Sequence, residues 1–476
     1  MSPGFGAQSP EFGVRRFVLP MGLCVLLLCA TACTLTPEGP DEPGNIVDQK
    51  QELVGRINDS PTDLEAHADL LRLQIRDGDL EGAEATVSHA LKHNGADFRA
   101  HMLAAQYHRW QADLISAERS LFTARDLAPN RLEPRVALSG LYHQCYLEEA
   151  ELEQRRIALE LAEPALREEF TLDLAYALSQ LGRDEQAEAL ARPMIADQQA
   201  RADNRGKAHS LLAEIALRKG DGATAIAQLA AAIKLRPKEA GLIQFAARLV
   251  TAVEEPAALS TVFDDTLATQ DVLEARWAAL FGKWMLSVRA GDGAAAKWLE
   301  RLEAIAPGHP DILTRQYQVA KLDPRSDREA EVLRKQLEES DFGVPDSPTT
   351  LPALLMLWRA EDALRIGAPD TALEQLAQLE ARETGLPGLR VLRTIALFKA
   401  REDERCLGAI DAWLAESKEP DQLLQGMRWW IMLRTGRGKE VLVEVEGETQ
   451  PTNATMWIQA VARFHVYRGT SRPKDG

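Results

Sequence analysis

From Pro61 onward the chain repeats a unit of two amphipathic helices, each about a dozen residues long and separated by Gly, Asp, Asn or Pro. No other feature constrains the fold as strongly. One unit starts at Leu64 and its neighbour at Phe98, 34 residues later, and a third runs KAHSLLAEIALRKGDGATAIAQLAAAIKLRP from Lys207. In this third unit Leu212 and Ala213 form a large-small pair on the first helix, and Gly220-Asp221 marks the turn. Ala225 and Ala232 are small positions on the second helix, Leu229 is its large position, and Pro237 closes it. Small residues let two antiparallel helices approach closely, large ones fill the groove between hairpins, and the glycine permits a positive φ at the helix end. The signature recurs with drift at Leu70, Gly78, Ala83, Val87 and Ala90, then at Leu103, Ala104, Tyr107, Ala117, Leu121, Ala124 and Pro129. It returns at Leu138, Tyr142 and Ala150, and at Leu174, Ala175, Gly182 and Ala187. Ala and Leu dominate while β-branched runs are scarce, which favours helices.

These units resemble tetratricopeptide repeats (TPR). The resemblance implies an all-α fold, a right-handed superhelical solenoid of helical hairpins, with a concave face lined by the first helix of each unit. In that family such a face holds peptides or partner helices. Clear repeats span 61–237, and degenerate hairpins follow over 238–340, at about 238–270, 273–307 and 310–340. Residues 341–352 read as a loop or hinge. Further TPR-like hairpins occupy 353–468, at 353–381, 387–417 and 421–447 with a closing helix near 454–468, and 469–476 form a tail. Val441 to Val445 is β-branched enough to suggest a short strand.

The N-terminus carries an address. Residues 15–33, RRFVLPMGLCVLLLCATAC, follow the charged, apolar and small-residue order of a secretory signal peptide over 1–32. Its apolar run is shorter than the roughly 20 residues a membrane span needs. Ala30-Thr31-Ala32-Cys33 resembles a bacterial lipobox, which implies a diacylglycerol on Cys33 and cleavage before it. Ala30-Thr31-Ala32 equally fits ordinary A-x-A cleavage, so a soluble periplasmic or secreted protein stays open beside the lipoprotein. A start at Val14 would give a more ordinary leader. Thr34 stands where an aspartate would imply inner-membrane retention, so a lipoprotein of the outer membrane facing the periplasm is expected. Residues 33–60, with Pro37, Gly39, Pro40, Pro43 and Gly44 among acids, read as a disordered tether.

A net charge of −17 and the lack of a basic stripe with interleaved aromatics argue against nucleic acid as a ligand. The acidity reads as a solvated surface. His89 and His93 lie four apart on one helix, a spacing that could chelate a metal, but no acid or cysteine nearby in sequence completes a set. No metal or other cofactor is therefore expected. His67, His101 and His209 stand where the repeat usually carries a large aromatic and read as packing. Trp277, Trp284, Trp298, Trp413, Trp429, Trp430 and Trp457 are mostly core by their spacing, whereas an exposed Trp110 or Trp430 would be an interface anchor. Tyr107, Trp110, Tyr142 and Trp430 are the candidate binding residues, and Cys33 is the candidate lipidation site. Gly436-Arg437-Gly438-Lys439 lacks the earlier glycine and the Ser or Thr of a phosphate loop. No nucleophile-base or zinc-protease motif is present, so a non-catalytic protein-binding scaffold for an envelope assembly or secretion complex is expected rather than an enzyme. The alternative is a periplasmic enzyme or enzyme subunit whose array positions a substrate. Cys145 and Cys406 read as buried thiols.

Overall fold

The structure is a computed structural model that describes residues 43–339, 344–383, 385–417, 421–447 and 452–471. Among them lie 24 α-helices and no strand, an all-α fold of helical hairpins. Ala175–Pro420 make one compact unit; residues up to Leu174 join those from Asp421 onward in another.

The first part of the discontinuous unit holds α1 (Pro43–Asp59), α2 (Leu64–Asp77), α3 (Leu80–Asn94), α4 (Phe98–Trp110), α5 (Leu114–Leu127), α6 (Leu132–Gln144) and α7 (Glu148–Leu161). The chain then enters the other unit through α8 (Pro164–Gln180), which leads to α9 (Asp184–Ala196), α10 (Ala202–Arg218), α11 (Gly222–Leu235), α12 (Ala240–Ala252) and α13 (Leu259–Thr269). This unit continues with α14 (Leu273–Ala290), α15 (Ala295–Ile305), α16 (Pro310–Ala320), α17 (Asp327–Glu339), α18 (Leu351–Arg365), α19 (Pro369–Glu380), α20 (Pro387–Lys399) and α21 (Asp403–Glu416). The last three, α22 (Gln422–Arg434), α23 (Gly438–Glu446) and α24 (Asn453–Ser471), belong to the discontinuous unit.

The turn chemistry explains the hairpins. Gly78 and Gly220 sit at φ of 70° and 77°, a left-handed conformation that ends one helix. The next residue, Asp79 or Asp221, accepts a hydrogen bond from the backbone N–H three positions on and so starts the following helix. Ala83, Ala117, Ala187, Ala225 and Ala372 have no exposed surface, as the small positions require.

Two expectations are corrected. Residues 43–59 of the proposed tether form α1, because Leu53 and Ile57 bury one helical face against Ala66 and Leu70. Residues 441–445 lie in α23, where Val441 and Val445 share a buried face at helical spacing. Most helices pack on their neighbours in sequence, with long returns besides. In the 175–420 unit α18 packs on α12 far upstream, and one apolar core runs through α10–α14 and α18–α20. Cys33 and the leader lie outside the described residues.

Candidate functional site

Two helices and a helix start converge on a cleft of about 150 Å³, room for roughly one side chain. From α12 come Gln244 and Arg248, and from α14 come Trp277 and Phe281 one helical turn apart. His309 and Asp311 open α16. His309-Pro310-Asp311 is a helix-start signature: the His309 Nδ1 accepts the Asp311 N–H at 3.2 Å, Pro310 needs no donor there, and Asp311 complements the helix dipole. The Trp277 ring stacks on Phe281 at 5.2 Å and lies 4.3 Å from the His309 ring. An aromatic wall therefore faces a charged floor. The Trp277 Nε1 is buried without a hydrogen-bond partner.

The floor rests on a buried charge network. Asp362 on α18, only 1% exposed, accepts from Arg248 at 2.8 Å, from Arg315 at 2.6 Å and from the Thr251 hydroxyl. Asp311 accepts from Arg248 at 3.1 Å and from Arg365 at 3.2 Å. Burial opposes ionisation of both acids, yet the surrounding guanidinium groups hold both carboxyls well below the usual range. The Arg315 guanidinium lies over both Trp358 and Phe281, and Trp358 donates to Gln318 at 2.6 Å. Burial lowers His309 from its ordinary value, which favours the neutral ring.

The residues singled out from sequence lie in the other unit. Tyr107 is buried beside Trp110, at 6.2 Å between rings, with its hydroxyl accepting from Gln111. Trp110 is half-buried at the end of α4. Tyr142 is buried and donates to Glu118 at 2.8 Å, while Trp430 is buried with its ring 4.8 Å from Tyr146. Tyr107 and Trp110 thus form one pair, and Tyr142 and Trp430 lie where the C-terminal helices meet α5 and α6. The His67 Nε2 lies 3.0 Å from His89 Nδ1, and the His89 and His93 rings are 4.4 Å apart. Among the described residues no group of three or more His, Cys, Asp or Glu is placed to hold a metal ion. Cys145 and Cys406 are both buried, in accord with their reading as buried thiols.

Sequence reasoning passed over Arg248, His309, Asp311 and Asp362, and took Trp277 for core. The signal available was His309-Pro310-Asp311 at a helix start; the meeting of α12, α14 and α18 has no local signature.

The chain resembles solved tetratricopeptide repeat structures. One is a tetratricopeptide repeat protein from Parabacteroides merdae, at 12% identity over 74% of this chain and 99% of that chain, with a TM-score of 0.31. Yeast Tom70 matches at 13% identity over 86% of this chain and 97% of that chain, with a TM-score of 0.24. A human IFIT1 dimer with m7Gppp-AAAA matches at 14% identity over 76% and 96%, with a TM-score of 0.30. No family model matches the chain. No curated protein matches it.

Chemically the cleft is arranged to recognise. Asp311 and Asp362 are neutralised by arginines, and His309 Nδ1 is taken by the backbone, so these groups are held in place by one another. What the cleft presents is the half-buried Trp277 and His309 rings, tilted against each other, and the exposed Gln244 amide. Such a surface suits a peptide that lays an apolar side chain on the rings and offers a carbonyl to a donor. No helix among the described residues is long and apolar enough to cross a membrane.

Proposed function

We propose that this chain is a non-catalytic protein-interaction scaffold, exported, held at the periplasmic face of the outer membrane by a lipid on Cys33, and serving an envelope assembly or secretion complex. The observation that carries the binding role is Trp277, stacked on Phe281 and set at a tilt against the His309 ring, standing in a cleft whose floor is locked by the Asp362 and Asp311 ion pairs. A rigid aromatic recess of this kind orders few side chains on binding, and so anchors a partner at low entropic cost. The leader and the Ala30-Thr31-Ala32-Cys33 sequence support the address.

The test places a photo-crosslinking amino acid at position 244 of the lipidated chain in cells, identifies the captured protein, and measures its affinity for the purified chain by calorimetry. Trp277→Ala is expected to weaken binding by at least about tenfold, the effect of losing an interface anchor. Equal affinity for wild type and Trp277→Ala would reject the cleft as the site.

A further inference from the structure

The α5–α6 surface carries groups that call for a helix, and the chain supplies one from its own C-terminus. With α24 in place Glu118 on α5 is only 2% exposed, and a carboxylate so enclosed is costly unless a cation reaches it. The cation is Arg468 on α24, 350 residues away, which also donates to the Tyr142 hydroxyl at 3.0 Å and lies over that ring at 4.8 Å. One turn earlier on α24, His465 Nε2 donates at 2.6 Å to the carbonyl of Cys145, the residue that ends α6. Tyr146 occupies the turn position that glycine takes at Gly78 and Gly220, at a φ of 54° that a bulky residue adopts only under constraint. Its ring lies against Trp430 of α22.

The packing of α24 is uneven. It lies closely along α23, where Gly438 lets it approach: a Cβ there would meet the His465 Cβ at 3.0 Å. Its meeting with α5 is shorter, and is marked by Arg468 and by Arg119 over Tyr467 at 5.6 Å. We propose that the α5–α6 face is a helix-recognition surface, and that α24 fills it in cis as a displaceable stand-in for a partner helix of the same chemistry. Such a partner is amphipathic, with an arginine for Glu118 and a hydrogen-bond donor three residues earlier for the Cys145 carbonyl. This surface is separate from the Trp277 cleft, and its test does not depend on the cleft.

The experiment uses the full chain and a fluorescent synthetic peptide of residues 453–471. In wild type, α24 should be protected from hydrogen exchange and the peptide should not bind. Arg468→Glu places two acids together, so exchange in 453–471 should rise by at least about tenfold and the peptide, which still carries arginine, should bind to the vacated Glu118. Combining Arg468→Glu with Glu118→Arg should restore protection and abolish peptide binding. Unchanged exchange in Arg468→Glu, an opened chain that ignores the peptide, or a loss of protection throughout 43–174 that the double reversal does not restore would each overturn the proposal.

Discussion

Asp362 shows how much of this molecule hangs on single charges. Its carboxylate is almost without solvent and is held by Arg248 and Arg315, so Asp362→Asn takes the counter-ion from the buried Arg315 and leaves Arg248 with Asp311 alone. Breaking one side of a buried pair costs about 3–5 kcal/mol. Urea unfolding followed by tryptophan fluorescence should show a loss of that size, and a midpoint equal to wild type would mean the network contributes little. The histidines of the first hairpin make a second residue-scale case. His67 Nδ1 lies 2.6 Å from the Asp63 carbonyl and must donate to it, so its Nε2 accepts from His89 Nδ1. Burial, then the charges of His93 and His67, lower His89 below its ordinary value. The sign follows from linkage: above about pH 6.5 neither the folded nor the unfolded state binds this proton, and below it the unfolded state takes it up first. Stability therefore falls as pH drops through His89's lowered folded value. The protection of residues 64–94 from hydrogen exchange, taken relative to the intrinsic amide rate at each pH, should fall between pH 7.5 and pH 5, and His89→Gln should flatten that dependence; equal pH profiles of protection for the two proteins would contradict the reading.

At the scale of the element, the hairpin depends on alanines at the helix contact. Ala225 has no exposed surface, whereas Ala223 on the same helix is exposed. Ala225→Leu should wedge α10 from α11 and destabilise by about 1–3 kcal/mol, while Ala223→Leu should be close to neutral. Equal effects, read as chemical-denaturation midpoints, would show that the register of the repeat is misplaced. Hairpins from Leu64 to Pro237 are legible because their rule is local: a turn residue at positive φ, often glycine, and then alanine at set intervals along the next helix. Helix α1 was obscured by Pro43 and Gly44 at its start, although Leu53 and Ile57 lie four apart on one face. Helix α23 was obscured by valines, whose strand preference yields to burial of Val441 and Val445 at helical spacing.

On the scale of the whole molecule, the chain departs from a row of hairpins that touch only their neighbours. Within one unit α18 returns to α12; within the other α22–α24 return to α5 and α6. Both returns are tied by buried ion pairs, which accept fewer geometries than apolar contacts and so specify which helices meet. The address belongs to this scale as well. Cys33→Ser should abolish fatty-acid labelling in cells and move the protein from the membrane fraction to the soluble one; retained labelling would place the lipid elsewhere.

Periodicity and turn chemistry alone determined that this chain is helical, paired into hairpins, and built on small residues at the helix contacts, because each of those properties is set within about 34 residues. Tertiary structure alone decided which side chains form surfaces. Tyr142 and Trp430 lie under or against helices from the opposite end of the chain, while Trp277 stands in a cleft. The physical reason is that burial and charge pairing depend on partners more than 100 residues away, as Arg248 and Asp362 are, and no local pattern records them.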